Sequence, residues 1–193
     1  MSTEPVHPIQ VVRAMREAMA DQDVLVCDSG FNQIWGGQCF DVRSSGRCYL
    51  GPRGFGVMGY GLPAAIARAM TTPDQTVYCL IGDGGFAMVI QELETAVRCG
   101  VNLTIVVMNN SGMQFIQDNQ RLFFGGRLIS TAFSELDYAA IARAFGCHGI
   151  RVETSGKLDA AFAEAAASPK TTVIDVHVDN SAVPERTSLQ SFR

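Results

Sequence analysis

Apolar positions along this chain repeat in two alternating rhythms. In "HPIQVVRAMREAMA", Ile9, Val12, Met15 and Met19 recur at helical spacing. "DVLVCDSG" (Asp23 to Gly30) is a short apolar run that ends in turn residues, as a buried strand does. "GLPAAIARAM" predicts a helix with Pro63 in its first turn, where a missing N–H costs nothing. "QTVYCLIGDGG" reads as a buried strand ending at Gly82, "FAMVIQELETAVRCG" as one helix closed by Gly100, and "NLTIVVMNN" as a second buried strand. "SELDYAAIARAFG" predicts a helix capped by Ser134, with Gly146 past its end. "HGIRVET", "KLDAAFAEAAAS" and "TTVIDVHVD" then give strand, helix and strand. The polar stretch "NSAVPERTSLQSFR" reads as a tail or lid.

Strands that are continuous apolar runs, alternating with helices, predict an α/β fold. Its sheet is doubly wound and mainly parallel, with helices on both faces. One domain over residues 1–180 and a C-terminal tail over 181–193 follow from the absence of any linker, repeat or low-complexity stretch. Apolar residues make up 47% and charged residues 18% of the 193, which argues against disorder. A net charge of −4 offers no basic surface for nucleic acid or anionic lipid. No apolar run approaches the roughly 20 residues that span a bilayer, and "MSTEPVHPIQ" lacks a secretory apolar region. The six cysteines form no C-x-x-C pair and read as reduced packing residues of a cytoplasmic protein.

Ligands of such sheets bind beyond the carboxyl ends of the strands. "DSG", "GDGG" and "NNSG" all fall there. Gly82, Gly84 and Gly85 strip side chains from the start of a helix, whose free N–H groups suit a phosphate. Asp83 would repel that phosphate unless a cation lay between them. Its carboxylate and the amide oxygen of Asn110 are hard ligands that suit Mg²⁺, so the pattern predicts a metal-bridged diphosphate. The plainer reading is turn chemistry, which favours Gly, Asp and Asn at strand ends anyway. No Walker pattern or G-x-G-x-x-G fingerprint is present.

GDG, then 24 residues, then NN resembles the signature of thiamine-diphosphate enzymes. "GPRGFGVMGYGLPAAIARA" (Gly51 to Ala69) and "CDSGFNQIWGGQCF" resemble blocks of the acetolactate synthase and pyruvate oxidase group. The likeness runs from about Pro8 to Asp179 and concerns the C-terminal, diphosphate-binding domain of those enzymes. It implies the thiamine-diphosphate-binding fold, with thiamine diphosphate and Mg²⁺ as cofactors. Asp83, Asn110 and the carbonyl of Gly112 would be the metal ligands. Ser29, Gly30, Asn32, Gly84 and Gly85 would hold the diphosphate. Met58 would be the bulky side chain that bends the cofactor, unless it is core filler as Met often is. The carbonyl of Gly56 would accept a hydrogen bond from the pyrimidine amino group. Phe115, with Phe123 and Phe124, would line a substrate pocket or pack the following loop.

The implied activity is decarboxylation of a 2-oxo acid, followed by transfer of the acyl unit to a carbonyl acceptor. A glutamate facing the pyrimidine, supplied in the family by a separate pyrimidine-binding domain, has no counterpart in the sequence. Glu92 and Glu94, on the helix after GDG, read as helix-face carboxylates. The expectation is therefore a hetero-oligomer, two of each chain or larger, in which a partner subunit brings that domain and its glutamate. Pyruvate decarboxylase carries a glutamate six residues after the metal asparagine; Ile116 stands there, as in acetolactate synthase. Asn119 stands where that enzyme has its acceptor-selecting tryptophan. The alternatives are a split decarboxylase of the sulfopyruvate or phosphonopyruvate type that releases an aldehyde, and a non-catalytic regulatory or scaffold remnant. A ferredoxin-linked oxidoreductase subunit is disfavoured because the cysteines are not clustered. His148 and His177 read as structural or surface residues, and His7 simply lies near the terminus.

Overall fold

The computed structural model describes residues 5–185. The elements run in the order α1 (Pro8–Ala18), β1 (Val24–Cys27), α2 (Phe31–Cys39), β2 (Tyr49–Leu50), α3 (Gly61–Thr71), β3 (Val77–Gly82), α4 (Asp83–Val89), α5 (Glu92–Arg98), β4 (Thr104–Asn109), α6 (Gln114–Phe123), α7 (Tyr138–Ala144), β5 (His148–Val152), α8 (Leu158–Ala167) and β6 (Thr172–His177). Six strands form one sheet in the order β2-β1-β3-β4-β6-β5, and every pairing is parallel. The doubly wound α/β fold expected from the sequence is thus the fold observed. No helix among the described residues is long and apolar enough to cross a membrane.

Side-chain alternation divides the core into two layers. Leu80 of β3 and Val106 of β4 join Val12, Met15 and Phe162, the contributions of α1 and α8. Cys79 and Ile81 of β3, with Ile105 and Val107 of β4, join Leu62, Ile66, Leu93 and Ala142 from α3, α5 and α7 on the other face. Because both faces are covered, β3 and β4 must be apolar at nearly every position, which is what made them visible in the sequence. The chain steps outward from β1 to β2 and then crosses back past β1 to β3. The crevice between β1 and β3 is therefore a switch point of the kind that binds ligands.

Two expectations are corrected. The stretch from Phe86 to Gly100 is two helices, not one. At Ile90 and Gln91 the backbone bonds tighten to Leu93 N to Ile90 O (3.1 Å) and Glu94 N to Gln91 O (3.0 Å), which breaks the longer helical ladder. The cap of α7 is Asp137 rather than Ser134: its carboxylate accepts from Ala140 N at 2.7 Å. Of the polar stretch, read as a tail or lid, Ala182 is buried; what lies past residue 185 falls outside the described residues. His7 does more than lie near a terminus: it caps α1, its Nδ1 accepting from Ile9 N while Gln10 Oε1 accepts from the His7 backbone N–H. His148 pairs with Glu164 at the surface, and His177 is exposed. The described cysteines are free thiols; Cys27, Cys48, Cys79 and Cys147 are buried, while Cys99 is exposed.

Candidate active site at the strand ends

The carboxyl ends of β1, β3 and β4 open into one cavity of about 250 Å³. Every residue singled out above for cofactor or metal lines it. Ser29, Gly30 and Asn32 come from the turn between β1 and α2. Gly56 and Met58 come from the glycine-rich loop before α3. Asp83, Gly84 and Gly85 begin α4, Asn110 and Gly112 follow β4, and Phe115 lies in the first turn of α6. Phe123 and Phe124, at the far end of α6, are exposed and outside the cavity wall. Glu92 and Glu94 are also outside it; Glu94 pairs with Arg98 and Glu92 accepts from Thr95.

Asp83 is the electrostatic centre. Its Oδ1 accepts from Gly84 N at 2.7 Å and its Oδ2 from Gly112 N at 3.0 Å, so the carboxylate ties the end of β3 to the turn after β4. Burial pushes its pKa up to about 6, against the pull of backbone N–H groups from Gly84, Gly112, Asn110 and Ser111. A carboxylate that is this dry and held, among the described residues, by backbone donors is a good seat for a cation. The amide oxygen of Asn110 is buried and has no hydrogen-bond partner among the described residues. An orphaned buried acceptor is costly, and a cation would satisfy it. Ser111 holds a positive φ of 56°, a strain that bends the Asn110–Gly112 turn back over Asp83.

The carbonyl of Gly112 accepts from Gln114 N at 3.0 Å and keeps a second lone pair. A Cβ at Gly112 would lie 2.7 Å from Gln117 Nε2 and 2.8 Å from Thr131 O, so the turn admits only glycine. A Cβ at Gly84 would press on Phe133 (3.2 Å) and reach 3.6 Å from Met58 Cε. The bare N-terminus of α4 thus faces Met58 at close range. The carbonyl of Gly56 accepts from Ser29 Oγ at 2.6 Å and also keeps a lone pair free. Phe115 meets Phe31 edge to face at 5.4 Å, and Ile116 adds an apolar group to the wall. The donors and the glycine cradle therefore fit a metal-bound diphosphate.

Sequence reasoning missed the residues that hold this arrangement. Asp28, fully buried, accepts from Gly59 N (3.1 Å) and Gly61 N (3.0 Å) and so fixes the loop that bears Met58. Asp175 accepts from Asn109 Nδ2 (2.9 Å) and Tyr138 N (3.0 Å), and Asn109 in turn accepts from Ser111 N (3.3 Å). Gln114 bonds Asn110 directly. For Asp28, the signal was a carboxylate placed straight after an apolar strand.

Asp83 also makes stability depend on pH. Its folded pKa of about 6 exceeds the ordinary 3.8. Between those values the folded chain binds more protons than the unfolded one, so Asp83 favours folding below about pH 4 and that contribution is lost as pH rises through 6. Relative to wild type, Asp83→Ala is expected to gain on the order of 2–3 kcal/mol between pH 4 and pH 7, read by urea unfolding of both proteins without metal.

Residues 28–176 match the family model described as the thiamine pyrophosphate enzyme, C-terminal TPP binding domain. The chain is 36% identical over 179 residues to a Bacillus subtilis protein named "Putative thiamine pyrophosphate-containing protein YdaP", an alignment covering 93% of this chain and 31% of that one. It is 33% identical over 175 residues to the acetolactate synthase large subunit of Parasynechococcus marenigrum, covering 90% and 28%. With the corresponding large subunit of Haemophilus influenzae it shares 32% over 178 residues, covering 91% and 31%. The chain thus spans less than a third of the length of these relatives.

Proposed function

The chain belongs to the thiamine pyrophosphate enzymes, as their C-terminal TPP-binding domain, and we propose that it is the cofactor-holding part of an acetolactate synthase-like 2-oxo acid decarboxylase and carboligase. The observation that carries this reading is the meeting of the Asp83 carboxylate, the orphaned Asn110 oxygen and the side-chain-free start of α4 in one cavity beside Met58.

Asp83, Asn110 and the Gly112 carbonyl would hold Mg²⁺, with Gly84 and Gly85 against the diphosphate oxygens. When bound, thiamine diphosphate supplies a nucleophilic carbon and an electron sink for loss of CO₂. Met58 would pack against the bound cofactor, and the Gly56 carbonyl would hold the pyrimidine amino group with its free lone pair. Phe31, Phe115 and Ile116 would exclude water from the reacting end. Ile116 can donate no proton, which favours transfer to a carbonyl acceptor over release of an aldehyde.

The second half of the site is proposed to come from a separate subunit whose pyrimidine-binding domain supplies the glutamate, in a cytoplasmic hetero-oligomer. Exposed apolar side chains support a covering partner: Phe55, fully exposed, and Val57, exposed over about half its surface, flank Gly56, and Phe123 and Phe124 stand out at the end of α6. The test is tagged purification with mass spectrometry, followed by product analysis on pyruvate and related 2-oxo acids with and without an added carbonyl acceptor. A co-purifying polypeptide with a pyrimidine-type domain and an acyloin product are expected. Free aldehyde that ignores the acceptor would favour the simple decarboxylase instead.

A further inference from the structure

Asn110 can serve a cation only if its oxygen, and not its nitrogen, faces the cavity. The two ends of an amide are nearly equal in size, so something must choose between them. The neighbouring Gln114 is buried and has both ends engaged. Its Nε2 donates to the backbone carbonyls of Asn180 (2.8 Å) and Ala182 (2.7 Å). A carbonyl cannot donate, so an Oε1 in that place would face two acceptors. The two carbonyls therefore fix the Gln114 amide one way round, with Oε1 toward Asn110. There it accepts from Asn110 Nδ2 at 2.6 Å. Once Nδ2 is committed, Asn110 Oδ1 is left buried and, among the described residues, unpartnered, on a residue that lines the cavity.

We infer that Gln114 is a positioning residue: through it, the backbone at Asn180 and Ala182 sets the Asn110 amide so that oxygen faces the cation. The inference rests on the metal-site reading above, and it extends the site to the segment after β6. That segment is held on this side by Gln114 and, further along, by Gln38, whose Nε2 donates to Glu185 O at 2.9 Å. A shift of this segment would change how the cation is held without touching a ligand.

The test uses the ¹⁵N-labelled full chain, with Gln114→Met as a variant of similar shape, its fold checked by its backbone amide spectrum. In wild type without metal, the Gln114 side-chain amide protons are expected to exchange slowly with solvent, as are those of Asn110. In Gln114→Met the Asn110 protection is lost. With thiamine diphosphate present, Mg²⁺ affinity falls about 10-fold in Gln114→Met, the lower end of what loss of an outer partner of a metal ligand costs. In the Asn110→Asp background both ends of residue 110 are oxygen, so orientation no longer matters; Gln114→Met then costs nothing or improves affinity by removing Oε1 from beside a carboxylate. Rapid exchange of the Gln114 amide in wild type, unchanged Asn110 protection in Gln114→Met, or an equal affinity loss in both backgrounds overturns the relay. Should Mg²⁺ with thiamine diphosphate leave the Asn110 resonances of wild type unmoved, the metal-site reading fails, and the exchange measurements alone decide whether the amide chain is set as described.

Discussion

Asp83→Ala is expected to lower affinity for thiamine diphosphate in the presence of Mg²⁺ by more than about 100-fold, beyond the roughly 10- to 100-fold cost of losing an outer partner of a metal ligand. The reason is that Asp83 acts three times. It supplies the negative charge that offsets the cation, it accepts from Gly84 N at the head of α4, and it accepts from Gly112 N in the turn that presents Asn110. Removing the carboxylate removes a ligand and frees the turn together. Asn110→Ala removes a neutral ligand only, and its effect should be smaller than that of Asp83→Ala, within the roughly 10- to 100-fold range. Isothermal titration of thiamine diphosphate into each protein at saturating Mg²⁺ reads both values. Equal losses in the two variants would contradict the central place given to Asp83.

Asp28→Ala should be the most damaging single change to the scaffold of the site. Its two oxygens satisfy Gly59 N and Gly61 N, and the residue has no exposed surface. An alanine leaves both donors buried and unpaired, at about 1–3 kcal/mol each, so a loss of about 2–4 kcal/mol in urea unfolding is expected. Gly85→Ala reaches the same joint from the other side, because a Cβ there would drive into Asp28 Oδ2. Both changes displace the loop that bears Met58, so both should weaken cofactor binding as well as folding. Since they strike one contact, their combined cost should fall well short of the sum. Full additivity would mean that Asp28 and Gly85 do not meet as described.

How much of this was legible in the sequence depended on where each residue finds its partner. β3 and β4 were plain because burial on both faces leaves them almost no polar position between their ends. The Asp83 and Asn110 ends were plain because glycine and short polar residues stand out after such runs. α2 was missed because Gly36, Gly37 and Gln38 blur its apolar face, and β2 because two residues make no pattern. The break between α4 and α5 was hidden because Phe86, Leu93 and Ala96 continue an apparent helical spacing across it. Gln114 gave no signal at all: its two acceptors are backbone carbonyls 66 and 68 residues further on, and any residue type could have supplied them. Asp28 stood out only as the carboxylate of "DSG" after an apolar strand; its task was hidden because its donors lie 31 and 33 residues away. Local pattern reveals groups that meet a ligand more readily than groups that hold those groups in place.

The most direct test of the account is whether this chain binds a diphosphate through a metal. Thiamine diphosphate and thiamine monophosphate are titrated calorimetrically into the wild-type chain, with Mg²⁺ and again with EDTA. Binding of the diphosphate is expected to need Mg²⁺, with the monophosphate much weaker because it lacks the second phosphate that would share the metal. Binding that is indifferent to EDTA, or equal for the two ligands, would contradict the assignment of Asp83, Asn110 and Gly112 as a metal-bridged diphosphate site.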